Sequence, residues 1–357
     1  MSSTVGPGRA QIVGTGLLGG SVGAALRRAG WHVTGTDADA GTEARALELG
    51  AIDGRGWDPA ADITFVATPV RTVAAAAAEA LERTSGVVTD LGSVKASIVA
   101  AVDDPRFVGG HPMAGSEQLG VDGADADLFQ GAVWVLTPTA ATDPDRFATV
   151  DAVVRSLGAD VVALPPDRHD ALVAVVSHVP HLTAAALMAL ADARASEHAA
   201  LLRLAAGGFR DMTRVAAGTP TIWPDICGEN QAAIVEAIDQ LRAELDRMRS
   251  LVVDGDQAGL LQVLERAQGA RRNLPSRVVH PEEVVEVRVP VLDRGGVIAE
   301  VSTLAAELGV NIADLEIAHS SEGDRGVLIL VVERARAETF RDGLVARGYH
   351  PTLSALG

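Results

Sequence analysis

The chain has one cysteine, Cys227, and one lysine, Lys95, in 357 residues. A lone cysteine excludes an internal disulfide. Every other basic residue is an arginine, so chemistry that needs an amine base has Lys95 or nothing. Positive charge is scarce as well. With 30 Lys and Arg against 47 Asp and Glu, the formal net charge is −17, which gives no sequence-independent attraction to phosphate backbones or anionic lipid. Nucleic acid and membrane surfaces are therefore not expected as partners, and an anionic substrate needs a local basic pocket. Long apolar runs are also missing, because Arg, Asp or Pro interrupts the alanine-rich stretches before the roughly 20 residues that span a bilayer. The first residues, MSSTVGPGRA, lack the charged start and apolar core of a signal peptide, so a cytoplasmic location is expected.

What is present is the composition of a soluble globular protein, 48% hydrophobic and 22% charged, at a length that calls for two or three domains. From Ala10 to about Leu164 short β-rich runs alternate with helical stretches: AQIVGTG, WHVTGTD, ITFVAT, GVVTDLG, VWVLTP and ADVVALP. That alternation predicts an α/β domain, a Rossmann-type mostly parallel sheet wrapped by helices, over residues 1–165. From about Pro166 only helical periodicity remains, which predicts an all-α domain over 166–275. Its clearest piece follows Trp223, where Ile234, Ile238, Leu241, Leu245, Met248 and Val252 recur at spacings of four and three. Such a seam requires another helix, either within one subunit or across a dimer interface. Beyond a linker bracketed by Pro275 and Pro281, residues 283–357 read strand, helix, strand, strand, helix, strand, a ferredoxin-like unit.

Gly14, Gly16 and Gly19 in VGTGLLGGS form GxGxxG after a strand and at the start of a helical run. The first glycine permits the tight turn, the second lets backbone and Leu17 approach a pyrophosphate, and the third allows close helix packing. The second strand ends in Asp37, 23 residues beyond Gly14, where a carboxylate would accept hydrogen bonds from a ribose diol and repel a 2′-phosphate. NAD is the expected cofactor. Thr68 and Pro69, in ATPV, end the next strand, and this loop is either a plain turn or a wall of the cofactor cleft.

Four further polar clusters sit in apolar surroundings: DLGSVK at 90–95, HPMAGSE at 111–117, SHVPH at 177–181 and GGFRDMTR at 207–214. His111 near the strand ends is a candidate base. His178 and His181 are three apart, on one face of a helix that Pro180 bends. A zinc reading of these histidines with Glu117 is disfavoured, since no close cysteine or carboxylate pair and no HExxH accompanies them; no metal is expected. Arg210 and Arg214, four apart on a predicted helix, are either a surface group around Asp211 or carboxylate clamps.

Taken together, GxGLxGxS, DxGSVK, HPMAGSE, SHVPH and FRDMTR, in this order and spacing, resemble the prephenate dehydrogenase family over about Ala10 to Asn273. The tail VPVLDRGGVIAEVSTLAAELGVNIADLEI resembles an ACT domain, although Gly295 stands where many such domains have proline. The resemblance implies NAD-linked oxidative decarboxylation of prephenate in tyrosine biosynthesis. His111 would take the ring-hydroxyl proton, with Ser93 beside that hydroxyl. Ser116 and Glu117 would line the substrate pocket, His181 and His178 would reach the side chain or carboxylates, and Arg214 would bind a carboxylate. Trp223 would close the pocket and Gly207 would enter it from the partner of a homodimer. Tyrosine is the effector implied for the ACT-like tail. The competing readings are arogenate dehydrogenase, a hydroxyacid dehydrogenase with a catalytic lysine after residue 95, which this sequence lacks, and a catalytically silent NAD-binding sensor.

Overall fold

The computed structural model describes residues 6–116, 118–195, 201–272, 284–292, 294–319 and 325–355. The chain divides into two compact units, Met1–Leu190 with Arg214–Arg242, and Ala191–Thr213 with Ala243–Gly357.

The first unit is built on an eight-stranded sheet. Its strands are β1 (Arg9–Val13), β2 (His32–Thr36), β3 (Gly54–Arg55), β4 (Ile63–Val66), β5 (Val87–Asp90), β6 (Phe107–Pro112), β7 (Val133–Thr137) and β8 (Asp160–Ala163), in the order β3-β2-β1-β4-β5-β6-β7-β8. The first six run parallel, with the chain reversal after β1 typical of nucleotide-binding sheets. The β6–β7 pairing is antiparallel and β7–β8 is parallel, so the last two strands run opposite to the rest. Five helices accompany the sheet: α1 (Leu17–Arg28), α2 (Ala40–Glu48), α3 (Val70–Arg83), α4 (Ala96–Ala101) and α5 (Pro144–Ser156). Strands covered on both faces read as continuous apolar runs, and Ile12, Val33, Ile63, Phe65, Val87 and Val108 are accordingly fully buried. Each such side chain contributes about 1.5–3 kcal/mol relative to exposure.

Two strands escaped the apolar-run reading. β3 is only two residues long. β6 contains Gly109 and Gly110, which weaken strand propensity, yet they are there because nothing larger fits. A Cβ on Gly110 would lie 2.6 Å from the Asp90 carbonyl oxygen and 2.8 Å from Thr89 Oγ1. His111, expected near the strand ends, lies next to the end of β6, held by pairing to Val135 of β7.

The same unit continues with α6 (Pro166–Val173), a π-helical turn (Ala174–His178) and α7 (Val179–Ala195) as far as Leu190, and later α9 (Trp223–Glu229) and the start of α10 (Gln231–Val253), after α8 (Gly207–Thr213) of the other unit. Pro180 has no N–H for the Val176 carbonyl, and the π turn falls where that bond is missing. The stretch Pro166–Arg194 is long and apolar enough on average to cross a membrane, which corrects the expectation that none would be. Its polar residues His169, Asp170 and His178 are nonetheless buried and hydrogen-bonded within the protein. The predicted seam on α10 divides. Ile234, Ile238 and Leu241 pack on Ala174, Val179 and Leu182, whereas Leu245 and Val252 are exposed.

The second unit carries α11 (Gln257–Arg272) and the C-terminal fold: β9 (Val284–Leu292), α12 (Val297–Glu307), β10 (Ile312–His319), β11 (Arg325–Glu333), α13 (Arg334–Ala346) and β12 (Thr352–Ala355). Its antiparallel sheet has the order β10-β11-β9-β12, the ferredoxin-like topology predicted from the element order. Val287, Val289, Leu328 and Leu330 meet Leu304, Phe340 and Leu344 in its core. The predicted linker prolines, Pro275 and Pro281, lie outside the described residues.

Because β6 closes so tightly on β5, Gly110→Ala is expected to lower stability by about 1–3 kcal/mol through overpacking. Urea unfolding followed by circular dichroism reads this directly, and an unchanged midpoint would show that the strands have room to part.

Candidate active site

Two adjoining clefts open at the carboxyl ends of the parallel strands. The first, about 710 Å³, is lined by Gly14, Gly16, Asp37, Thr42, Thr68 and Pro69 among others. Gly14 has φ +91°, which only glycine adopts without strain, and a Cβ on Gly19 would lie 1.9 Å from the Gly14 carbonyl oxygen. Among the described residues nothing lies within 4 Å of a Cβ position on Gly16, and α1 starts there without a side-chain cap from its N-cap residue. That open, positive helix end suits a pyrophosphate. The Asp37 carboxylate is held in place by the Thr15 N–H at 2.7 Å and the Asp39 N–H at 3.0 Å. Thr68 Oγ1 is buried without a hydrogen-bond partner among the described residues, and a ligand in the cleft would supply one. The residues present therefore fit a dinucleotide.

The second cleft, about 510 Å³, shares Thr68 and Pro69 with the first, so the loop after β4 walls both. Leu17, Ser93, His111 and Ser116 line it, together with Ile222 and Asp225 on either side of Trp223. Behind His111 runs a buried chain of polar groups. His111 Nδ1 lies 2.8 Å from His169 Nε2, and His169 Nδ1 lies 2.7 Å from Asp170 Oδ1. Asp170 also accepts the N–H groups of Lys95 and Ala96, both at 2.8 Å. A carboxylate can only accept, so His169 carries its proton on Nδ1. Its Nε2 then accepts from His111 Nδ1–H, which leaves the lone pair of His111 Nε2 unused in this chain of bonds. Burial, then His169, Lys95 and His178, hold His111 well below the usual imidazole value. It is a neutral imidazole, oriented from behind, with the chemistry to accept a proton.

Lys95, which any amine chemistry would need, is fully buried in an ion pair with Asp90. Burial lowers its pKa while Asp90 opposes the shift. The Asp90 carboxylate also takes the Gly92 N–H at 2.9 Å and the Gly110 N–H at 3.0 Å, so it ties the loop bearing Ser93 to the strand bearing His111. Lys95 is a structural ion, not a base.

His178 and His181 both meet Trp223, His178 edge-on at 6.1 Å and His181 stacked at 3.7 Å. Asn230 donates to His178 Nδ1 at 3.2 Å and to the Asp170 carbonyl at 2.9 Å. His178, pushed down to about 4 mainly by burial, is thus a neutral Nε2–H donor; burial lowers His181 as well. The predicted helix joining Arg210 to Arg214 ends at Thr213. Arg214 opens a 3₁₀ turn, because α8 is only seven residues long. Arg214 is not among the residues lining either cleft. Gly207 starts α8 in the other unit, and Glu117 lies outside the described residues.

A family model for the nucleotide-binding domain of prephenate dehydrogenase matches residues 22–163, and one for its dimerization domain matches residues 165–266. The chain belongs to the prephenate dehydrogenase family. Prephenate dehydrogenase of Bacillus subtilis is 33% identical over 350 residues, 92% of this chain and 94% of that protein. Cyclohexadienyl dehydrogenase of Zymomonas mobilis is 34% identical over 275 residues, 73% of this chain and 94% of that protein. Among solved structures, prephenate dehydrogenase from A. aeolicus in complex with hydroxyphenyl propionate and NAD+ matches with a TM-score of 0.71 at 33% identity, over 75% of this chain and 99% of that one. Synechocystis arogenate dehydrogenase matches at 0.65 and 32%, over 74% and 98%.

Within this family member, His169, Asp170 and Asn230 were not anticipated from sequence, whereas Asp90 belongs to the DLGSVK cluster. The available signal was the adjacent pair His169-Asp170, two titratable groups one turn into a helix whose polar start, PDRHD, reads as a solvated first turn.

Because the His111 base is depressed rather than raised, its neutral form persists below pH 6.5. The acid limb of kcat/KM is therefore expected below that value, and a limb at or above 6.5 in a pH-rate profile would reassign it. Asp170→Asn can present an amide N–H to His169 and reverse the tautomers, so kcat is expected to fall about 10²-fold or more, measured alongside wild type.

Proposed function

We propose that this protein oxidises and decarboxylates prephenate to 4-hydroxyphenylpyruvate, reducing NAD, as a step of tyrosine biosynthesis. The observation that carries the reading is the lone pair of His111 Nε2, fixed by His169 and Asp170 in a cleft that shares a wall with the nucleotide cleft. Gly14, Gly16, Asp37 and Thr68 would hold NAD, which when bound supplies the hydride acceptor. His111 takes the proton of the ring hydroxyl as the carbinol carbon loses hydride. Departure of the ring carboxylate as carbon dioxide then makes the ring aromatic, so the chain supplies mainly orientation and a base. Ser93 and Ser116 present hydroxyls to the same space. The new imidazolium is stabilised through His169 by the Asp170 carboxylate.

Arg214 is the proposed carboxylate clamp, with His181 on the substrate side chain and Trp223 closing the pocket. Glu117 and, from a partner subunit, Gly207 complete the proposed set. A homodimer is supported by the match to the dimerization domain over 165–266 and by the exposed end of the α10 seam. A cytoplasmic location is part of the proposal, and it rests on the sequence. The C-terminal ferredoxin-like unit is proposed to be an ACT-type regulatory domain with tyrosine as effector. It presents Gly295 and Gly296 immediately before α12, a loop with no proline to stiffen it.

Arogenate is the alternative substrate, supported by the similarity to the Synechocystis arogenate dehydrogenase. Following NADH absorbance with prephenate and with arogenate decides between them. Prephenate is expected to give the higher kcat/KM; the reverse ranking reassigns the substrate, and no turnover with either would make the chain a sensor. In the same assay His111→Asn is expected to lose about 10³-fold in kcat with NAD affinity intact, and Arg214→Ala to raise substrate KM at least about tenfold.

A further inference from the structure

The turn after β2 is unusually provided with carboxylates, and each is committed to a particular partner. Beyond Asp37, the Asp39 carboxylate caps α2, accepting the Gly41 N–H at 3.3 Å, the Thr42 N–H at 2.9 Å and the Thr42 hydroxyl at 2.7 Å. Glu43, one turn into α2, reaches back with Oε2 to the Asp37 N–H at 3.2 Å and with Oε1 to Arg55 Nε at 2.7 Å. Arg55 is placed beside this turn because β3 pairs with β2 in a register that sets Arg55 opposite Gly35. Its half-exposed guanidinium meets a Glu43 side chain that is only 12% exposed, so the carboxylate is fixed and the arginine is drawn to it.

A phosphate on the 2′-oxygen of the adenosine ribose would need N–H donors from this turn and a guanidinium. Here the donors at Asp37, Asp39, Gly41 and Thr42 are all taken by carboxylates, and Glu43 holds the arginine on the adjoining strand. We propose that Glu43 is a specificity-determining residue that withholds Arg55 and the Asp37 N–H from a 2′-phosphate. Discrimination between NAD and NADP then rests on two carboxylates, with Asp37 opposing the phosphate directly and Glu43 removing the groups that would bind it. This rests on the first cleft being the NAD site.

The test is isothermal titration calorimetry of NAD and of NADP with the full chain, read as the ratio of the two Kd values, for wild type, Asp37→Asn, Asp37→Asn with Glu43→Gln, and that double variant with Arg55→Met. Removing the Asp37 charge alone is expected to leave NADP the weaker ligand. Adding Glu43→Gln should shift the ratio toward NADP by about tenfold, the worth of one charged hydrogen bond, and Arg55→Met should cancel that shift. Glu43→Ala, which leaves no acceptor for Arg55, should shift the ratio at least as far. Equal ratios for the single and double variants, or a shift that survives Arg55→Met, would overturn the proposal. Wild type that binds neither nucleotide would instead refute the cleft as the cofactor site.

Discussion

The Asp170 carboxylate is the fixed point of the polar network behind His111. One oxygen takes the Lys95 N–H and the His169 imidazole, the other the Ala96 N–H. Through these bonds one buried charge sets the start of α4, the tautomer of His169 and, one ring further on, the face of His111 that remains basic. An ionised carboxylate buried this deeply is tolerated only when its lone pairs are met. Here they are met by groups that the rest of the site also needs. Asn230 extends the arrangement by joining the Asp170 carbonyl to His178.

The second buried charge, Asp90, organises the other side of the cleft. It ends β5, binds Lys95, and receives the N–H groups of Gly92 and Gly110. The two serine- and histidine-bearing segments therefore share one anchor, and Lys95 belongs to both networks, by its backbone to Asp170 and by its side chain to Asp90. The chain's single lysine is thus used for architecture. Placing a cation there also favours neutral His111, since a nearby positive charge penalises protonation of the imidazole.

The first cleft was the most legible in the sequence because its determinants are local. GxGxxG, the strand before it and Asp37 lie within one βαβ unit, and all are found around the first cleft or packed behind it. His111 and Ser93 were legible as polar groups in apolar surroundings, and they line one cleft. The order of strands and helices in the C-terminal unit was legible for the same reason, with apolar alternation of period two beside helical runs. What stayed hidden depends on contacts distant in sequence. His169 reaches His111 across 58 residues and Asp170 reaches Ala96 across 74, and no periodicity records either. β6 was hidden by glycines that its tight packing demands, and the break before Arg214 by the short span of α8. The seam on α10 was recognised as a single stripe, although one end packs within its unit and the other is left open.

The central claim is that His111 stands as a neutral Nδ1–H imidazole whose Nε2 has no partner among the described residues, because Asp170 dictates the proton of His169. Long-range ¹H–¹⁵N correlation of the histidine rings in the full-length protein measures this without turnover. The account predicts that His111 and His169 both carry their protons on Nδ1 at pH 7 and that His111 remains so below pH 6.5. A His111 ring protonated on Nε2 at neutral pH, with His169 unchanged or reversed, would contradict it.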